Sequence, residues 1–203
     1  MKTINLGSEV RVSDPCYGDD VWCKTRLTSV LPGEYNVDVD VSDQGEWGRR
    51  VSSMTVTHKD YVGKNLKYQE HGDIGVDSGQ AGIFCESSYR NDSIEIETPE
   101  HDFVLPYNDD SGDKWYEKMC KFTLSKQSYG TYDTGVVATS GFGDGSYPLA
   151  VARDEDKNIV SMVITFIGED EEEDEWDDEG DVCGVCGGEL ESDGECVYCC
   201  DEK

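Results

Sequence analysis

The segment EYNVDVDV, residues 34–41, sets Tyr35, Val37, Val39 and Val41 at every second position, with polar or acidic residues between them. A period of two sends alternate side chains to opposite faces of a pleated strand. The segment must therefore form a strand with one buried face and one acidic, wet face. The same alternation runs through RRVSSMTVTHKD, and the shorter runs INL, EVRVSD and TRLTSVL precede it. Residues 2–58 read as β structure, with TRLTSVL and EYNVDVDVSD flanking the turn-forming LPGE.

The second strong β signal is TGVVATSGFGDGSYPLAVARDEDKNIVSMVITFIG. It divides into strands at 135–139, 147–153 and 159–167, joined by GFGDGS and DEDKN. The stretch between these two β blocks is rich in Gly and Asp and holds one short strand at 80–85. Residues 91–113, with Pro99 and Pro106, read as a polar loop. DKWYEKMCKFTLS has the helical spacing, with Asp113 as N-cap and Trp115, Met119 and Phe122 on one face. Residues 1–168 are thus expected to form a mainly β domain, an antiparallel sandwich or open barrel with one short helix.

After Ile167 the apolar pattern stops. GEDEEEDEWDDEGD carries too little apolar surface to offset its ordering entropy, so residues 169–182 read as an extended acidic linker. Residues 183–203 hold Cys183, Cys186, Cys196 and Cys199 in the spacing C-x2-C-x9-C-x2-C. Two such pairs offer four thiolates to one tetrahedral ion, which points to structural zinc with no open coordination position. Cys200 follows the second pair where a glycine is common, leaving Cys199 and Cys200 as rivals for the fourth ligand. Nine cysteines, an odd number, with no signal-peptide h-region, fit a reducing bacterial cytoplasm rather than a disulfide framework.

The tail resembles the short zinc ribbons appended to many bacterial and phage proteins. Ribbons that bind nucleic acid carry basic knuckles, whereas this one carries Glu189, Glu191, Asp193 and Glu195. The whole chain has a formal charge of −28, of which −16 falls in residues 169–203 and −12 in the rest. A phosphate-binding surface needs Lys and Arg to displace counterions, so nucleic acid is a poor partner and a protein with a basic surface a better one.

Three further segments stand out: VSDPCYGDD, GDIGVDSGQAGIF and SGFGDGSYP. Together they resemble an uncharacterised family of phage and bacterial proteins with an early DPCY element and a GxGDGxY element before a final hairpin. That likeness implies a shared β-rich domain and a phage or mobile-element setting, and brings no activity with it. Asp14, Cys16, Asp144 and Tyr147 are the candidate ligand-binding residues of these motifs. Turn chemistry accounts for the motifs as well, since Asp14 can bond its own backbone and GDG supplies positive φ. A Cys nucleophile needs a base, and His58, His71 and His101 lack motif context, so no catalytic residue is assigned.

Three functions follow. The first is a non-enzymatic acidic interaction protein that binds and modulates a host or phage protein, with a structural zinc tail. The second is a small-ligand-binding or hydrolytic β domain, which requires the DPCY and GDGSY segments to meet around a pocket. The third is a DNA mimic, which requires an ordered array of carboxylates.

Overall fold

The structure, a computed structural model, describes residues 2–18, 21, 24–106 and 111–168. The alternation in EYNVDVDV is realised in a strand, Gly33–Asp43, where Tyr35 and Val37 are buried while Asp38 and Asp40 face solvent. In chain order the strands are β1 (Lys2–Leu6), β2 (Glu9–Ser13), β3 (Thr25–Thr28), β4 (Gly33–Asp43), β5 (Arg49–His58), β6 (Tyr68–Val76) and β7 (Gln80–Cys85). One helix, α1 (Asp113–Thr123), precedes β8 (Tyr129–Tyr132), β9 (Gly135–Thr139), β10 (Gly145–Arg153) and β11 (Ile159–Thr165).

These strands make two antiparallel sheets, ordered β1-β4-β5-β11-β10-β6 and β3-β2-β7-β9-β8. The main core lies between them, where Ile4, Tyr35, Met54 and Ile164 of the first sheet belong to one buried cluster with Val12, Ile83 and Val136 of the second. On the other face of the second sheet, Trp115, Met119 and Phe122 of α1 pack with Phe84, Tyr132 and Val137. That sheet is therefore covered on both sides, which explains why QAGIFC is buried almost without interruption. The edge strands of the two sheets do not pair with each other, so the domain is a sandwich and not a barrel.

Several elements differ from the sequence-based expectation. LPGE does not close a hairpin, because β3 and β4 lie in different sheets. Leu31 instead crosses between them, its N–H donating to the Ile159 carbonyl at 2.9 Å while the Ile159 N–H donates to Ser29 at 2.8 Å. β6 lies in the stretch read as irregular: it is an edge strand whose first four residues are exposed, so it shows no apolar alternation. The helix is present, but Asp113 is not its cap. Gly112 holds the N-cap position, and Asp92 accepts from the N–H groups of Gly112 at 2.8 Å and Trp115 at 2.9 Å. A carboxylate distant in sequence thus satisfies one orphan donor of the first turn and the N–H of the N-cap residue. The acidic linker, the cysteine tail and Cys23 lie outside the described residues.

Candidate functional site

Asp14 follows β2 and is fully buried. A carboxylate without water must find donors, and this one accepts four hydrogen bonds. Oδ1 takes the Cys16 N–H at 2.8 Å, closing the DPC turn, and the Ser78 hydroxyl at 2.7 Å. Oδ2 takes the N–H groups of Asp77 at 2.9 Å and Ser78 at 2.7 Å. Asp14 therefore ties the DPCY segment to the DSGQ turn between β6 and β7.

Two further residues, Tyr89 and Arg90, complete the clamp. The Tyr89 hydroxyl lies 3.0 Å from the Asp14 carbonyl and 2.8 Å from that of Tyr17. Burial pushes its pKa up to about 12, against the pull of Arg11 and Arg90, so it remains a donor. Arg90 donates to the carbonyls of Pro15 at 3.2 Å and Cys16 at 3.1 Å, and through its other terminal nitrogen to Ser111 and Asp113. One planar guanidinium thus fastens DPCY to the start of α1. Tyr89 closes the run CESSY just after β7 and Arg90 follows it, and nothing local in that run announces their contacts with DPCY.

The GFGDGS loop joins the DSGQ turn from the other side. Ser140 donates its N–H to the Gly79 carbonyl at 3.0 Å, and Gly79 returns a bond to Asp144 Oδ1 at 2.9 Å. Within the loop the Gly143 N–H donates to Ser140 at 2.8 Å, the Ser140 hydroxyl to the Gly143 carbonyl at 2.7 Å. The Tyr147 hydroxyl lies 2.9 and 2.7 Å from those same two carbonyls. The φ of Gly143 is +117°, a conformation that costs a side-chain-bearing residue dearly.

The three segments thereby meet around a cleft of about 780 Å³. Tyr17 of DPCY, Asp77 of the turn and Asp144 of GDGSY line it, together with Asp73 and Lys24. Of the four candidate ligand residues, Asp144 alone belongs to the lining; Asp14, Cys16 and Tyr147 are absent from it. Lys24 donates to the Gly18 carbonyl at 2.9 Å.

The chemistry available is limited. Burial and then the Asp14 charge push the Cys16 thiol well above the usual range, so it stays protonated. Tyr147 is also raised by burial. His71 is exposed on β6, His58 is buried with its ring edge against Tyr35, and His101 accepts the Phe103 N–H. None of them hydrogen-bonds Cys16 among the described residues. Among those residues no group of three His, Cys, Asp or Glu side chains is arranged to hold a metal ion, and no helix is long and apolar enough to cross a membrane.

A family described as "Protein of unknown function (DUF4241)" matches residues 8–164. No curated protein and no solved structure matches the chain.

Proposed function

We propose that this chain, which belongs to the DUF4241 family, is a non-enzymatic acidic binding protein that engages a basic surface on another protein through the cleft where its three motif segments meet. The observation that carries this reading is the division of labour among the motif residues. Asp14 and Tyr147, with Tyr89 and Arg90, spend their polar groups on fixing the loops, while Asp73, Asp77 and Asp144 line the cleft those loops form, Asp144 also holding the Gly79 N–H through one oxygen. A preorganised concavity lined by three carboxylates against the single ammonium of Lys24 is predominantly negative, which focuses potential and steers an oppositely charged partner. A phage or bacterial cytoplasmic setting, where such a protein would modulate a host or phage factor, suits this role.

Affinity capture from a bacterial lysate should retain a protein with a basic surface, and the combined variant Asp73→Asn, Asp77→Asn, Asp144→Asn should lose it. Capture that survives both that variant and molar salt would count against the reading.

The cleft supports a second occupant of the same chemistry, a small polycation, since its volume is in the range of small-molecule sites. Spermidine would then raise the melting temperature of the wild type and leave the triple variant unchanged. The hydrolytic alternative has less support, because the thiol is held protonated.

For the tail, the spacing of Cys183, Cys186, Cys196 and Cys199 supports a structural zinc site that staples a small acidic module. Elemental analysis of the purified chain should find zinc at one equivalent, lost in Cys183→Ser/Cys186→Ser; a metal-free wild type would remove this part of the proposal.

A further inference from the structure

Trp47 and Phe142 are large apolar side chains that the sandwich does not use. Trp47 lies in the turn between β4 and β5 and is 68% exposed; Phe142 lies in the GFGDGS loop between β9 and β10 and is 56% exposed. Neither belongs to a core cluster. Single exposed apolar residues are ordinary on a protein surface. These two, from loops far apart in the chain, rest on each other with ring centres 6.2 Å apart and planes at 80°. Every other ring contact among the described residues includes a buried ring.

Both rings are carried on fixed backbone. The Trp47 N–H donates to the Gln44 carbonyl at 3.2 Å, and the Trp47 carbonyl accepts from Arg50 Nε at 3.0 Å. Phe142 stands between Ser140 and Gly143, whose carbonyls both lie at the Tyr147 hydroxyl. Turn chemistry accounts for the glycines of that loop, but not for a phenylalanine held out into water, where apolar surface costs free energy. Phe142 is also two residues from Asp144, which lines the acidic cleft. Two residues span at most about 7 Å of chain, so one rigid loop carries a member of the aromatic pair and a member of the cleft.

We propose that the Trp47–Phe142 pair is an anchor point for the partner that the acidic cleft binds, and that it takes an apolar side chain lying beside the cation that enters the cleft. The inference rests on the cleft reading given above. Arg50 stands by Trp47 and Asp144 by Phe142, so the charge around the rings is mixed and selects an uncharged group, unlike the cleft itself. In an extended segment alternate side chains share a face about 7 Å apart, the reach of the chain from Phe142 to Asp144. The fitting partner sequence therefore places an aromatic or large aliphatic residue two positions from a Lys or Arg. Covering the rings removes their apolar area from water, which is how aromatic anchors become binding hot spots.

The test is an NMR titration of the isotope-labelled full chain at physiological salt with three synthetic peptides, Lys-Ser-Lys-Ser-Phe and its counterparts ending in Ala and in Arg. The Phe peptide should shift the Trp47 indole N–H and the Phe142 amide, and bind about tenfold more tightly than the Ala peptide. Trp47→Ala/Phe142→Ala changes two exposed positions, and a dispersed spectrum will report its intact fold. It should abolish the Phe advantage and leave affinity for the Ala peptide unchanged. Equal affinity of the Phe and Ala peptides, a Phe advantage that survives in the double variant, or no shift with the Phe peptide at millimolar concentration would each overturn the inference. An Arg peptide that loses as much affinity as the Phe peptide in the double variant would make the rings a cation site and overturn it too. In those cases binding that still requires Asp73, Asp77 and Asp144 leaves the cleft reading standing. Undiminished binding of the peptides to Asp73→Asn/Asp77→Asn/Asp144→Asn would overturn the cleft reading, and the inference with it.

Discussion

Replacing Asp14 by Asn tests whether the DPCY motif is an anchor rather than a reactive group. The carboxylate satisfies four donors, two at each oxygen. An amide keeps one acceptor oxygen. If that oxygen serves Asp77 and Ser78 N–H, the new NH2 group faces the Cys16 N–H and the Ser78 hydroxyl. The hydroxyl can rotate and accept, but the Cys16 N–H cannot. One charge-assisted bond is lost, worth ~1.5–3 kcal/mol, and a part-buried donor is orphaned, at ~1–3 kcal/mol. The buried charge disappears with them, which returns some desolvation energy. A net loss of about 3 kcal/mol is the result. For a domain of this size that is a fall in melting temperature of ~6–12 °C. Urea denaturation followed by tryptophan fluorescence measures the free energy, and amide exchange at Asp77 and Ser78 locates the loosening. Asp14→Ala, which strands all four donors, should cost more than Asn. A D14N protein within about 1 kcal/mol of wild type, with unchanged exchange in the DSGQ turn, would refute the anchor role.

Other consequences follow from the same contacts. Gly112→Ala should destabilise by ~2–3 kcal/mol, because φ is +92° there and a Cβ would stand 2.5 Å from Arg90 Nε; denaturant titration checks it. Asp92→Ala should cost ~1 kcal/mol through the lost helix cap. Partial burial opposes ionisation of Asp92, but the N–H groups of Gly112 and Trp115 bring its pKa below the usual value. Its contribution is therefore complete above the unfolded carboxylate pKa, near 4, and falls away as pH drops through the lowered folded value. Stability curves of wild type and Asp92→Ala should converge toward acid pH, and parallel curves would contradict the cap. Cys16 should react more slowly with iodoacetamide at pH 7.5 in the native chain than in denaturant, as peptide mass mapping will show; equal rates in both states would contradict its protonated, half-buried thiol.

The legibility of the fold varied with the physics of each element. β4 and β5 were readable because one face is buried and the other wet, and burial writes itself into the alternation. β10 and β11 were readable as a hairpin because DEDKN provides the turn between two apolar runs. β6 was not, because an exposed edge strand gains its order from ladder bonds to β10 rather than from apolar side chains. The helix was located by Trp115, Met119 and Phe122, yet its cap came from Asp92, beyond any local capping pattern.

The site divides in the same way. DPCY and GDGSY could be singled out as turn-rich segments, and Asp144 does line the cleft. That Asp14 holds Ser78, 64 positions away, and that Tyr89 and Arg90 clamp the loop between them, has no local signature. The sequence by itself determined the strands with a wet face, the acidity, the helical face and the cysteine spacing, since each depends on residues within a few positions of one another. Only the tertiary structure decided that LPGE changes sheets and that three separated segments share one cleft. Those outcomes depend on which strands pair across long stretches of chain, and that choice is made by the packing of the two sheets as a whole.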